Sequence, residues 1–174
     1  MDLYLIRHAE AASRSDPNYA DEDRPLTDEG REQAQALAKA LVARGVQFNA
    51  VISSPLVRAR QTAEEMLQNM HGPLAELEFC RHLSPGGKSR KLLRFLIGTS
   101  SESIALIGHE PELSAFAGRM IGCRRAQIDL AKAGVVLIRF DGVPEKGCGT
   151  LSWLLTPEWV GAPEVGEPVK AAGW

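Results

Sequence analysis

Short apolar runs alternate with segments whose apolar residues recur every three to four positions, and this alternation most narrows what the chain can become. Leu3-Tyr4-Leu5-Ile6, Ala50-Val51-Ile52 and Ile104-Ala105-Leu106-Ile107 are too short for helices and read as buried strands. Between them, Ala34, Leu37, Ala38, Leu41 and Val42 make one helix face. Ala59, Ala63, Met66, Leu67 and Met70 make a second, which stops near Gly72-Pro73. Ser89 to Ile97 fits a third helix, and Leu113, Phe116, Ala117, Met120 and Ile121 mark a fourth. Local signals agree with the periodicity: Thr27 is placed to cap the first helix, Asp28 and Glu29 suit its first turn, and Gly45 stops it. Gly134 to Phe140 and Gly149 to Leu155 read as a late hairpin. The expected fold is therefore α/β, with helices on both faces of a mostly parallel, mixed central sheet.

A chain of 174 residues is long enough for one domain with a substantial core. That domain is expected to span residues 1–156. Residues 157–174 are rich in Pro and Gly, have no period, and are expected to form an extended or mobile tail that Trp159 and Trp174 are available to pin. Twenty Lys and Arg against 22 Asp and Glu leave a net charge of −2, which argues against a general nucleic-acid binder. No apolar run approaches the ~20 residues of a membrane span. Arg7, His8 and Glu10 sit where a signal peptide needs an apolar core, so no membrane association and a cytoplasmic location are expected. Cys80, Cys123 and Cys148 are far apart and form no C-x-x-C pair, which points to buried free thiols rather than disulfides or structural zinc.

The chemistry-bearing residues follow strands. Arg7-His8-Ala9-Glu10 follows the first, Ser53-Ser54-Pro55-Leu56-Val57-Arg58-Ala59-Arg60-Gln61-Thr62 the second, and Gly108-His109-Glu110-Pro111 the Ile104 strand. Ligands of α/β sheets bind beyond the carboxyl ends of strands, so the three segments are expected to converge. Two imidazoles and two guanidinium groups suit a phosphoryl group. Arginine offers a permanently charged fork that matches phosphate oxygens, and a neutral histidine can attack phosphorus once its other ring nitrogen holds the proton. The sequence names no acceptor for that proton. Arg60, two residues from Arg58 on a helix, is expected to point elsewhere.

These three motifs, with Arg24-Pro25-Leu26-Thr27-Asp28-Glu29-Gly30 between the first two, resemble the histidine phosphatase superfamily, also called phosphoglycerate mutase-like. The likeness is greatest to its SixA-type phosphohistidine phosphatases, which are short, begin Arg-His-Ala-Glu-Ala and carry a loop like Leu83-Ser84-Pro85-Gly86-Gly87. The resemblance implies a phosphoglycerate mutase-like fold and no cofactor or metal. It also implies that His8 becomes phosphorylated, that Arg7 and Arg58 hold the phosphoryl oxygens, and that His109 stabilises the transferred group from the other side. Esterases of the superfamily add a carboxylic acid from mid-chain. Glu76 and Glu78 lie in about that region here, but neither sits in a context like the acid's motif, and Ala11 and Ala12 stand where polar residues are frequent. An imidazole leaving group needs less help than an alkoxide. A protein phosphohistidine is therefore the expected substrate.

Other readings stay open on the residues alone. The first is a phosphatase for a small sugar or nucleotide phosphate with Glu76 or Glu78 as the acid. The second is a metallohydrolase with His8, Glu10, His109 and Glu110 as ligands, which the two arginines disfavour because they repel a cation. The third is a phosphate-binding module without turnover. His71 and His82 read as surface or loop residues, Arg24 as a salt-bridge partner of Asp21, Glu22 or Asp23 that could also touch substrate, and Arg119, Arg124 and Arg125 as a small basic cluster.

Overall fold

A computed structural model of the chain describes residues 1–70, 75–99, 101–123, 125 and 127–160. Strands and helices alternate as β1 (Asp2–Arg7), α1 (Asp28–Ala43), β2 (Ala50–Ser53), α2 (Val57–Gln68), β3 (Leu77–Phe79), α3 (Ser89–Ile97), β4 (Ser103–Gly108) and α4 (Glu112–Met120), followed by β5 (Val135–Arg139), β6 (Thr150–Leu155) and the single turn α5 (Pro157–Val160). The sheet order is β3-β2-β4-β1-β5-β6. The first four in that order run parallel, β5 pairs antiparallel with β1, and β6 antiparallel with β5. This is the expected three-layer arrangement.

Period-two alternation along β1 divides the core. Tyr4 and Ile6 pack with Leu37 and Leu41 of α1 and Ala63 and Met66 of α2. Leu3 and Leu5 pack on the other face with Leu92 and Leu96 of α3 and Phe116 of α4. Leu5, Ile6, Leu106 and Ile107 are wholly buried, and burying each such side chain contributes about 2 kcal/mol. The strand ends that bear Arg7 and Gly108, which lie opposite each other in the β1–β4 register, are thus anchored by the core.

The first helix starts and stops as its sequence specifies. Thr27 accepts from Gly30 N at 3.1 Å, and beyond the cap at Arg44 the chain turns through Gly45 at φ +71°. Gly30 has a second duty. A Cβ there would lie 1.9 Å from the Glu10 carbonyl oxygen, so only glycine lets α1 press against the segment leaving β1. Thr27 N also donates to Glu10 O at 3.1 Å, and Ala11 bridges Leu26.

Several expectations need correction. The edge strand β3 was not foreseen, because Leu77-Glu78-Phe79 is half-buried to exposed and forms no apolar run. Helix α2 ends at Gln68, short of Met70. The tail does not begin extended: Pro157 opens a helical turn, as proline suits a first helical position, and Val160 packs against the α1 side of the core. Trp159 is exposed and pins nothing, while Trp174 and His71 lie outside the described residues. Of the cysteines only Cys80 is buried; Cys123 and Cys148 are exposed, in the turns after α4 and before β6. No helix among the described residues is long and apolar enough to cross a membrane.

Candidate active site

The carboxyl ends of β1, β4 and β2 deliver Arg7-His8, Gly108-His109 and Ser54 to one edge of the sheet, and α2 adds Arg58 from its first turn. His8 N donates to Gly108 O at 3.0 Å, which ties the two histidine segments together. The imidazole rings lie 5.0 Å apart, centroid to centroid. All four residues singled out from the sequence are brought together, and Arg60 points away to Glu64.

His8 Nδ1 lies 2.8 Å from the Ala9 carbonyl oxygen. A carbonyl only accepts, so Nδ1 carries the proton and Nε2 keeps its lone pair. This is the acceptor that the sequence did not name. Ala9 is itself held, its N donating to Thr62 Oγ1 at 3.1 Å while that hydroxyl donates to Arg58 O at 2.7 Å.

His109 Nε2 lies 3.0 Å from Ser54 Oγ, which is 3.1 Å from Ser84 Oγ and accepts from Leu56 N at 3.3 Å. The two hydroxyls can donate in either direction, so the His109 tautomer is open to both arrangements: where Ser54 donates to Nε2, the ring proton sits on Nδ1. That atom is buried and has no partner among the described residues. Arg58 is fully buried and donates through Nη1 to Asp21 O at 2.6 Å, and Arg7 Nη1 donates to Leu130 O at 2.9 Å. The Nε–H of each arginine is likewise buried without an acceptor. Buried donors ordinarily find acceptors, so three unpaired nitrogens around one imidazole mark a cradle for an oxyanion.

Burial lowers the proton affinity of both histidines, from an ordinary 6.5 to about 4 for His8 and about 3 for His109. The charges of Arg58 and Arg7 push His8 further down, and the His8 ring and Arg58 do the same to His109, whereas the Ala9 hydrogen bond works the other way at His8. Both rings are therefore neutral near pH 7. Because the unfolded chain binds these protons more readily, their contribution to stability is full above about pH 6.5 and is lost as pH falls through about 4 and about 3. Denaturant unfolding from about pH 7 down to about 4 is expected to show falling stability with a slope approaching two protons, and His109→Asn to remove about one of them. An unchanged slope in that variant contradicts neutral burial of His109.

A cleft of about 540 Å³ opens beside His8 and Arg7, and Ala11, Ala12, Arg14, Arg24 and Lys132 also line it. Arg24 forms the foreseen salt bridge, with Nε and Nη2 at 3.0 and 2.8 Å from Asp21 Oδ1, yet it is buried and its Nη1 also donates to Ala12 O. Lys132 was missed. It holds both carboxylate oxygens of Glu10, at 2.5 and 2.6 Å, from a turn whose Ala133 N donates to Arg7 O. The metal alternative is not assembled: Glu10 is committed to Lys132, Glu110 accepts from Ser114 N, and no group of three or more His, Cys, Asp or Glu among the described residues could hold an ion. Glu76 and Glu78 are exposed, before and on the edge strand β3, and neither lines the cleft.

The model of the histidine phosphatase superfamily (branch 1) matches residues 3–86. An uncharacterized protein of Picosynechococcus is 32% identical over 167 residues, covering 92% of this chain and 99% of its own length. Phosphohistidine phosphatase SixA of Escherichia coli is 26% identical over 160 residues, covering 90% of this chain and 94% of its own length. A solved structure of the protein histidine phosphatase SixA complexed with tungstate superimposes with a TM-score of 0.77 at 26% identity, covering 91% of this chain and 98% of that one.

Proposed function

Since the chain belongs to the histidine phosphatase superfamily, we propose that it hydrolyses phosphohistidine on proteins through a covalent intermediate on His8 and does so without a metal. The observation that carries this reading is the His8 Nε2 lone pair, set by the Nδ1–H bond to Ala9, beside the unpaired nitrogens of Arg7, Arg58 and His109. Nε2 attacks phosphorus in line and the bond from phosphorus to the leaving nitrogen breaks. That nitrogen takes a proton from water. Arg7, Arg58 and His109 Nδ1–H neutralise the charge on the equatorial oxygens, and the Ala9 carbonyl stabilises the imidazolium that forms. Water then displaces phosphate from Nε2 and its proton passes to solvent.

The substrate class follows from the leaving group. The carboxylates beside the site, Glu10, Asp21 and Glu110, are already hydrogen-bonded, which suits a labile P–N bond better than an alkoxide that must be protonated. The similarity to SixA points the same way, and a cytoplasmic location accords with it. The test compares phosphate release from a phosphohistidine-bearing protein with release from a panel of small phosphomonoesters, each with and without EDTA. Fast, chelator-resistant release from phosphohistidine is expected, with slow turnover of the esters. Preference for an ester, or loss of activity in EDTA, overturns the assignment.

A further inference from the structure

From Arg81 to Arg94 the chain carries positive charge alone. Arg81, Lys88, Arg90, Lys91 and Arg94 are all exposed, and no Asp or Glu occurs between Glu78 and Glu102. None of these five cations enters an ion pair among the described residues. This is a local excess in a chain whose net charge is −2.

Folding does not account for most of it. The positive end of the helix dipole lies at its N-terminus, where cations destabilise and acids stabilise. The helix α1 obeys that rule with a Thr27 cap followed by Asp28 and Glu29. The helix α3 breaks it at its start: Lys88 stands at the cap with no side-chain bond and Arg90 and Lys91 fill the first turn with no acid, while Arg94, in the last turn, is the one cation of the four that the dipole favours. Charges kept where local electrostatics disfavour them point to something outside the chain.

Their position says what. The connection from β3 to α3 runs past the site: Ser84 Oγ bonds the Ser54 hydroxyl that holds His109, and Gly86 N bonds Glu112 Oε1 in the first turn of α4. The start of α3 therefore stands at the same edge of the sheet as His8 and His109, joined to the site through Ser84. We propose that this basic face docks an acidic surface of the folded protein whose phosphohistidine enters the site. The proposal rests on the phosphohistidine reading above and adds the partner's charge to it. The net negative charge of the whole chain favours a partner with a local acidic face over a nucleic acid, which presents negative charge throughout.

The experiment uses the full chain and a variant carrying Lys88→Gln, Arg90→Gln, Lys91→Gln and Arg94→Gln. The probes are phosphoramidate itself, a small acidic protein phosphorylated on histidine with phosphoramidate, and a histone treated in the same way. For the acidic carrier, kcat/KM at low salt is expected to fall about tenfold or more in the variant, and the gap to close as salt is raised. Turnover of phosphoramidate should change little, and that of the histone, which the basic face repels, should not fall. The variant should also melt close to the parent, since three of its changes remove cations from a helix start and only Arg94→Gln gives up a favourable charge in the last turn. A salt titration of the unaltered chain carries the same test without any substitution, because only the acidic carrier should lose rate. Turnover that ignores carrier charge and salt, or equal protection from DNA and from unphosphorylated acidic carrier as competitors, overturns the docking face. A chain inactive even on phosphoramidate overturns the catalytic reading instead, so the two failures are distinguishable.

Discussion

His8→Ala abolishes turnover, by at least ~10⁴-fold in kcat, because the substitution removes the atom to which the phosphoryl group transfers. Nothing else in the site can take its place. The second imidazole is turned, with its Nε2 spent on Ser54 at 3.0 Å. The fold should tolerate the change, since the His8 side chain makes one hydrogen bond, to the neighbouring carbonyl of Ala9. Phosphate release followed beside circular dichroism checks both halves of the statement, and near-normal turnover in a folded variant removes the mechanism.

Arg58→Ala comes next in size. The guanidinium is 1% exposed and held by Asp21 through the backbone carbonyl at 2.6 Å and the carboxylate at 3.4 Å, so it is preorganised before substrate arrives. Donors fixed in advance at developing charge typically contribute ~10²–10³ in kcat. A loss of that order is expected, with a smaller change in KM. Arg58→Lys should recover little, because an ammonium restores the charge without the planar fork. Steady-state kinetics on phosphoramidate decides the matter. Recovery of most of the rate by lysine would mean that charge alone suffices and that the fork geometry is incidental.

Much of this is legible in the sequence, and the reasons are physical. Strands β1, β2 and β4 are buried on both faces and so appear as unbroken apolar runs, while α1 to α4 carry one-sided periodicity. The convergence of Arg7, His8, Arg58 and His109 follows because each lies just past, or at, the carboxyl end of a parallel strand or at the start of the helix after it. What stayed hidden depends on pairing across long stretches of chain or on backbone atoms. Lys132 meets Glu10 across 122 positions because β5 returns antiparallel beside β1. The tautomer of His8 depends on a carbonyl, which every residue has. The edge strand β3 has little burial and hence little pattern.

The covalent intermediate is the central claim, and it can be caught directly. The protein is mixed with excess phosphoramidate, quenched in alkali within milliseconds to seconds, digested, and weighed peptide by peptide. The account predicts one added phosphoryl group on the peptide carrying His8, labile to acid and stable to alkali, and absent from His8→Ala. Phosphate release with no such adduct, or an adduct on another residue, contradicts it.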